Sequence, residues 1–374
     1  MIALVLATAL AASGPGASRP STSGPGVRAS VPAAPRQLYS VAWRRPFVTP
    51  PALDWRPMEP GGVAVDAATG LAVFGTRDGW VHAVRPDGKL AWEYRAGGAF
   101  PGPPVVDGDT VYVGSSEGTL HAIAVGTGKA RWRYESKEEL GTRPVVAGGV
   151  VYVASLQDTL FAVDARTGTW KWHHRREARE EMTIRGAAAP VLGAGAVFAA
   201  YSDGFVAALD PQNGRPLWER LVAPPGEQLD VDGLAVEGNR VFAAAYSGAV
   251  VALEADTGKT IWTFRAPGAV RVAVAGGVVV AATLTTVHGL SPADGAPLWS
   301  APLGGAPWSD PIAAGKWILV PAGHDGGLLW LEGASGRTLR VFEPGTGVSG
   351  APAVLGRRVY VLSNGGQLFA LDLS

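Results

Sequence analysis

Two neighbouring stretches decide the fold, because they are copies of one pattern: GPPVVDGDTVYVGSSEGTLHAIAVGTGKARWRYE (Gly102–Glu135) and TRPVVAGGVVYVASLQDTLFAVDARTGTWKWHHR (Thr142–Arg175). Each has an apolar run after proline, a glycine turn, V-Y-V, a second turn, an apolar strand and T-G-x-x-x-W. Four short apolar or alternating runs separated by turn residues predict a four-stranded antiparallel meander. A repeat of about 40 residues is the size of one β-propeller blade.

The pattern recurs along the chain, and its final tryptophan marks each copy. The tryptophan position is occupied in turn by Trp92, Trp132, Trp172, Trp218, Trp262 and Trp299, with Arg340 in the seventh place. The last copy stops at Ser374 without this strand, whereas the chain starts with an unpaired strand-like run around Trp43. Pairing the two would close the ring and remove an exposed sheet edge.

The sequence therefore predicts an all-β protein: one eight-bladed β-propeller over residues 38–374, closed by the N-terminal strand around Trp43. The shared position of its large ring suggests that each tryptophan packs between neighbouring blades. We interpret seven of them as structural blade anchors: Trp43, Trp92, Trp132, Trp172, Trp218, Trp262 and Trp299.

The N-terminus reads as a targeting segment. A short apolar run ends in Ala9-Leu10-Ala11, an A-x-A cleavage pattern, so we interpret residues 1–11 as a signal peptide. Residues 12–37 are rich in Gly, Pro and Ser and are expected to form a flexible linker. For residues 1–11, a plain apolar tail is the alternative to a signal peptide. No later segment has the length and hydropathy of a transmembrane helix.

Composition and motifs argue against catalysis. The formal net charge is +0, so no global basic field favours nucleic acid. The chain has 0 Cys, which excludes disulfides, thiolate metal sites and a lipidated cysteine in this sequence. No nucleotide, hydrolase or metalloprotease motif is found. His82, His121 and His288 share a repeat position that elsewhere holds Phe, Val or Leu, so we expect packing. We predict no catalytic residues, no cofactor and no metal.

Two consecutive connections between blades are longer than the others. From the anchor to the next blade the chain takes 18 residues between Trp172 and Pro190, and 16 between Trp218 and Leu234. The spans Trp92 to Pro104 and Trp132 to Pro144 are 12 residues each. In a propeller such connections open on one face, so the two long ones should be neighbours. Folding does not require them, which suggests a binding patch.

The repeat A-x-D-x-x-T-G-x-x-x-W resembles that of the pyrroloquinoline-quinone-type propellers, which include two eight-bladed families. Quinoprotein dehydrogenases are longer and use an adjacent Cys pair at the cofactor, which this chain lacks. The BamB family consists of components of the bacterial machine that inserts β-barrels into the outer membrane. The contents of the two long connections resemble that family. The first contains Met182-Thr183-Ile184-Arg185-Gly186, similar to its apolar-x-apolar-Arg-Gly segment. The second contains Asp230-Val231-Asp232, similar to its D-V-D segment.

The BamB resemblance implies a non-enzymatic periplasmic scaffold, peripheral to the outer membrane, that binds the POTRA domains of a BamA-like protein. Met182, Ile184 and Arg185 would contact the partner from one connection, and Asp230 and Asp232 from the other. In an alternative interpretation, Arg185 and the two aspartates brace the connections against each other. Unfolded outer-membrane proteins are a further partner class, bound at strand edges. An envelope sensor or ligand-binding propeller is the alternative function, and a cofactor-dependent quinoprotein is a third.

Overall fold

Strands and turns make up the part of the chain that the computed structural model describes, residues 37–49, 58–176, 188–223 and 230–374. Within these ranges, 32 strands form eight sheets of four antiparallel strands. Residues Leu38–Ser374 belong to one compact unit. This arrangement is the predicted eight-bladed β-propeller.

The strands are named in chain order, and each blade except the eighth takes four consecutive ones. Blade 1 consists of β2 (Val63–Val65), β3 (Ala72–Gly75), β4 (Trp80–Val84) and β5 (Leu90–Arg95), and blade 2 of β6 (Val105–Asp107), β7 (Thr110–Gly114), β8 (Thr119–Ala124) and β9 (Ala130–Glu135). Blade 3 consists of β10 (Val145–Ala147), β11 (Val150–Ala154), β12 (Thr159–Asp164) and β13 (Trp170–Arg175), and blade 4 of β14 (Val191–Gly193), β15 (Ala196–Ala200), β16 (Phe205–Leu209) and β17 (Pro216–Leu221).

The remaining blades include the one that joins the two ends of the chain. Blade 5 consists of β18 (Val231–Glu237), β19 (Arg240–Ala245), β20 (Ala249–Glu254) and β21 (Thr260–Arg265), and blade 6 of β22 (Ala269–Ala275), β23 (Val278–Thr283), β24 (Thr286–Leu290) and β25 (Pro297–Pro302). Blade 7 consists of β26 (Ile312–Ala314), β27 (Trp317–Pro321), β28 (Leu328–Glu332) and β29 (Thr338–Phe342), and blade 8 of β30 (Ala353–Leu355), β31 (Arg358–Leu362), β32 (Gln367–Leu373) and β1 (Tyr39–Pro46).

Blade 8 closes the ring as the sequence predicted. Strand β1 pairs antiparallel with β32, from Tyr39 opposite Leu373 to Pro46 opposite Gln367. This pairing supplies the fourth strand that the last repeat lacks. It also covers the edge of β32, whose backbone N–H and C=O groups would otherwise face solvent.

The turn between the third and fourth strands explains the D-x-x-T-G element. In blade 3, the Oδ1 atom of Asp164 accepts the backbone N–H of Arg166 at 3.1 Å and that of Thr167 at 2.9 Å. Gly168 follows with φ +74°, a conformation that a residue with a Cβ adopts only under strain. The carboxylate thus accepts the backbone N–H groups of the turn, and the glycine allows the turn to adopt its tight conformation.

Each anchor tryptophan joins its blade to the turn of the next blade. The indole N–H of Trp132 donates to the carbonyl of Ala165 at 3.0 Å, and the hydroxyl of Tyr112 donates to the same oxygen at 3.0 Å. The same bond to the next blade recurs in the other six anchors: Trp43 to Pro86, Trp92 to Val125, Trp172 to Pro211, Trp218 to Ala255, Trp262 to Pro292 and Trp299 to Gly333. The repeated tryptophans therefore connect neighbouring blades around the ring.

Arg340 interrupts the tryptophan series where the chain itself is interrupted. Blade 8 has no turn between a third and a fourth strand, because its outermost strand is β1 from the other end of the chain. There is consequently no T-G turn for a seventh-blade tryptophan to cover. Instead, the Arg340 guanidinium lies 5.5 Å from the centre of the Tyr39 ring in β1, a cation–π contact to the closing strand.

The first strands of the blades surround a central channel. A cavity of about 550 Å³ is lined by residues of β6, β10, β14, β18, β22 and β26. Most of the residues that line it are apolar, among them the partly exposed Val145, Val146, Val191 and Leu192. One end of this channel opens on the face where the last strand of each blade is joined to the first strand of the next, here called the connection face.

Candidate binding face

The connection face was predicted to hold the binding patch, and the structure describes part of it. Residues 177–187 and 224–229 lie outside the described residues. Met182, Ile184 and Arg185 are therefore not placed, and their role stays a prediction. The two aspartates are described.

Arg176 fixes the described end of the first long connection. Its Nε donates to Asp203 Oδ2 at 2.6 Å and its Nη1 to Glu219 Oε1 at 2.6 Å. Its guanidinium carbon lies 4.0 Å from the centre of the Phe205 ring. Two charge-assisted bonds and a ring contact hold the backbone at the point where residue 177 begins. The sequence reasoning missed this arginine, because its partners come from the next blade and are distant in sequence.

A histidine next to Arg176 completes this cluster. The ring of His174 shares a hydrogen bond of 2.6 Å with the Tyr201 hydroxyl through Nδ1, and its Nε2 lies 3.8 Å from Glu219 Oε1. Burial lowers the pKa of His174, against the opposing effect of the Glu219 carboxylate. The base of the connection is therefore a packed polar cluster at the boundary of blades 3 and 4.

The second connection differs from its sequence-based description. Strand β18 begins at Val231, so Asp232 lies within a strand and not in a lengthened loop, and Asp230 immediately precedes it. The register of β18 against β19 shifts between Val231 and Gly233, which places a β-bulge at Asp232. Strand β22 of blade 6, which follows the short span from Trp262 to Val272, has the same length and a bulge at the equivalent place. A bulge can redirect one side chain without ending the strand.

Both aspartates are buried. Asp230 is 5% exposed and Asp232 is 2% exposed. Their backbones are also held: the carbonyl of Asp230 accepts the N–H of Tyr246 at 2.9 Å, and that of Asp232 accepts Arg271 Nη1 at 2.7 Å. A carboxylate with this little exposure acts within the protein, because its desolvation must be offset by partners close to it. Whether they contact a partner or brace the first connection through Arg185 stays a prediction, because Arg185 lies outside the described residues.

Three charged residues at the mouth of the channel were not selected from the sequence. Arg143, Arg271 and Asp310 all line a small cavity of about 110 Å³ at the connection face. Each stands directly before the apolar run that starts a blade, as in Arg143-Pro144, Arg271-Val272 and Asp310-Pro311. The same place in other blades holds Pro103, Ala189 and Ala351. A charge at this repeat position is the signal that could have identified them.

The described residues contain neither a cluster of metal ligands nor a membrane-spanning helix. Among the described residues, no group of three or more His, Asp or Glu side chains is arranged to hold a metal ion. His121 is 4% exposed, and its Nδ1 shares a hydrogen bond of 3.1 Å with the Tyr94 hydroxyl. Over the same described ranges, no helix has the length and apolar character needed to cross a membrane.

The repeat, the ring of eight blades and the tryptophan anchors define the class of protein: an eight-bladed propeller with quinoprotein-type repeats. The family model described as "Outer membrane protein assembly factor BamB" matches residues 77–252, 231–286 and 283–374. The chain belongs to this BamB family, as the sequence resemblance predicted.

Individual relatives agree with this assignment. The outer membrane protein assembly factor BamB of Pseudomonas aeruginosa is 28% identical over 202 residues, which cover 51% of this chain and 53% of that protein. The chain therefore matches about half the length of this curated relative.

Solved structures share the fold. BamB from Moraxella catarrhalis superimposes with a TM-score of 0.77 at 22% identity, covering 90% of this chain and 100% of that one. A quinohemoprotein alcohol dehydrogenase from Pseudomonas putida HK5 gives a TM-score of 0.71 at 14% identity, covering 90% and 76%. At these identities both matches show the fold alone.

Proposed function

We propose that this protein is a non-enzymatic periplasmic scaffold of the machinery that assembles β-barrel proteins into the outer membrane. In this role it binds POTRA domains of a BamA-like protein through the connection face. Membership of the BamB family supports the proposal. The observation that carries it is local: the two lengthened connections, from Trp172 to Pro190 and from Trp218 to Leu234, are consecutive in the ring of blades.

The proposed contact residues divide into two roles. Met182, Ile184 and Arg185 are the direct contacts, because small apolar side chains around one arginine are typical of the centre of a protein interface. Asp230 and Asp232 are positioning residues. Their burial of 95% or more, from exposures of 5% and 2%, keeps them from a partner's surface but allows them to hold the adjacent connection.

Unfolded outer-membrane proteins are the second proposed partner class, and the outermost strands are their proposed site. Leu217, Ile261 and Leu298 occupy equivalent places on β17, β21 and β25, one residue before the anchor tryptophan. They are 59%, 38% and 54% exposed. An edge strand with exposed apolar side chains can receive an extended peptide by adding a strand to the sheet.

Binding to immobilised POTRA domains tests the proposal, with a double-mutant cycle for the positioning role. We expect the unmodified protein to bind, and both Asp232→Asn and Arg185→Ala to weaken binding. If Asp232 acts by holding Arg185, the double variant should lose little more than Arg185→Ala alone, since coupled residues are not additive. Asp109→Asn, an exposed carboxylate in the turn between β6 and β7, is the control and should bind normally. Additive losses would contradict the positioning role, and no binding by any form would contradict the function.

A further inference from the structure

The mouth of the central channel combines opposite charges with an apolar interior. The cavity at the mouth and the larger channel cavity share four lining residues: Arg143, Ala189, Asp310 and Ile312. The two spaces therefore adjoin each other, with charged groups at the mouth and mainly Val, Ala and Leu residues further in. A space of several hundred Å³ lined mainly by apolar residues, with a few converging polar groups, is typical of a small-molecule site.

Arg271 is held rigidly at this mouth. Its Nη1 donates to the Asp232 carbonyl at 2.7 Å and its Nη2 to the Trp308 carbonyl at 2.7 Å. These bonds join the starts of blades 5, 6 and 7. The remaining Nε–H is buried and has no hydrogen-bond acceptor among the described residues. A fixed, unused donor therefore lies beside the channel.

Two further buried polar atoms at the mouth lack partners within the described chain. They are Asp310 Oδ1 and Ser309 Oγ, which belong to the residues that line the smaller cavity. Burial raises the pKa of Asp310, while the Arg271 and Arg143 charges act in the opposite direction. An unpaired buried polar group is unfavourable, so a ligand that pairs with these atoms removes that cost.

Arg143 provides the second cation. It is exposed at the mouth, and no ion pair is found for it among the described residues. The mouth thus offers guanidinium donors from Arg143 and Arg271 and a carboxylate acceptor from Asp310. These cationic donors and this anionic acceptor lie close together, and a zwitterion is the ligand class that can pair with both.

We propose that the channel mouth binds a small zwitterion with an apolar side chain, of the class of the free α-amino acids. Its carboxylate pairs with Arg143 and the Arg271 Nε–H, its ammonium group pairs with Asp310, and its side chain enters the Val- and Leu-lined channel. Ala189, at the end of the long connection after β13, lines this site, but the test of ligand binding requires no POTRA domain.

Three related probes test the proposal, measured by ligand-induced chemical-shift changes or calorimetry on the full chain. L-leucine carries both charges, N-acetyl-L-leucine lacks the ammonium and L-leucinamide lacks the carboxylate. We expect saturable binding of L-leucine, and about tenfold weaker binding of each analogue because each loses one charged pair.

Variants at the mouth assign each charge. Asp310→Asn should remove the preference for L-leucine over N-acetyl-L-leucine. Arg143→Gln should remove the preference over L-leucinamide, and since Arg143 is exposed this variant tests the site even if Asp310→Asn fails to fold. Arg131→Gln is the matched control and should retain both preferences. Arg131 is an exposed arginine on the outer strand β9, where it forms an ion pair with Asp109.

Failure to detect saturable L-leucine binding would overturn the proposal. Equal binding of all three probes by the unmodified protein would also overturn it, because the charges would then play no part. Retention of both preferences in Arg143→Gln would overturn the assigned geometry.

Discussion

The indole ring of Trp132, on β9 of blade 2, covers Gly168 in the turn between β12 and β13 of blade 3. A Cβ built on Gly168 would lie 2.7 Å from the Cδ2 and Cε3 atoms of that ring. Gly168 also has φ +74°, so the position requires glycine for two separate reasons. The T-G and W elements of the repeat are therefore two halves of one contact between blades.

This contact predicts unequal costs for two glycine substitutions. Gly148 has φ +57°, but a Cβ there meets nothing within 4 Å. Gly148→Ala should therefore cost about 1 kcal/mol through the backbone alone. Gly168→Ala should cost roughly 1–3 kcal/mol more, because the indole must move. Denaturant midpoints of the two variants measure the difference, and equal midpoints would show that the ring does not constrain the turn.

The indole hydrogen bonds predict different costs in two blades. In blade 3, Trp172 and the Tyr152 hydroxyl both donate to the Pro211 carbonyl, at 3.1 Å each. In blade 4, Trp218 donates to the Ala255 carbonyl at 2.9 Å. The residue at the position equivalent to Tyr152 is Phe198, which has no hydroxyl to donate.

Trp218→Phe should consequently destabilise the protein more than Trp172→Phe, by about 1 kcal/mol, because only the Ala255 carbonyl loses its side-chain donor. Adding Tyr152→Phe to Trp172→Phe should remove most of that difference. Thermal unfolding of the three variants measures the order. The same loss in both single variants would mean that the tyrosine hydroxyl does not compensate.

Ring closure predicts the effect of removing β1. A chain that starts at Phe47 loses the Trp43 indole bond to Pro86 at 2.8 Å and exposes the edge of β32. We expect a lower unfolding temperature and self-association, because unpaired strand edges pair with other chains. A chain that starts at Gln37 keeps β1 and is the control. Light scattering after size exclusion, together with thermal unfolding, would reveal both effects. A monomeric short chain of unchanged stability would contradict the closure.

Glu59 predicts a pH dependence at the boundary of blades 8 and 1. It is 1% exposed, its Oε2 accepts the Arg77 N–H at 2.9 Å, and its own N–H donates to Asn364 Oδ1 at 3.3 Å. Burial raises the pKa of Glu59 from 4.5 to about 7, against the opposing effects of the Arg77 hydrogen bond and charge, with the Asp78 charge raising it further.

Because the pKa is higher in the folded state, protonation favours folding. The stabilisation is complete below the unfolded-state pKa of 4.5 and is lost as the pH rises through about 7, a change of roughly 3 kcal/mol. Glu59→Gln cannot titrate and should lack this loss, so it should become the more stable form above pH 7. Unfolding midpoints of both proteins between pH 4 and pH 8 provide the test. Parallel curves would contradict the shifted pKa.

The fold could be predicted because each blade is specified by residues that are close together in the sequence. The turn residues Asp164 and Gly168 and the anchor Trp132 recur at a fixed spacing, and the missing strand at Ser374 matches the extra one around Trp43. Even the irregular Arg340 has a physical reason in the broken ring. The long connection after Trp172 was also visible as a departure from this spacing.

The rest depends on long-range geometry that spacing does not encode. Asp232 was assigned to a loop because the polar residues before Leu234 interrupt the apolar run, whereas the chain accommodates it in β18 through a bulge. Arg143, Arg271 and Asp310 come from three different blades and converge only because the ring closes. Likewise, Arg176 finds Asp203 and Glu219 on the following blade.

Measuring the affinity of the Arg185→Glu variant for the POTRA domains of a BamA-like protein tests the central claim most directly. Arg166→Glu is the matched control, since Arg166 is an exposed arginine in the turn between β12 and β13, on the opposite face. The proposal predicts that Arg185→Glu weakens binding at least about 100-fold, as expected when a central arginine is replaced by the opposite charge, while Arg166→Glu binds like the unmodified protein. Equal affinities of the two variants would contradict a binding site on the connection face.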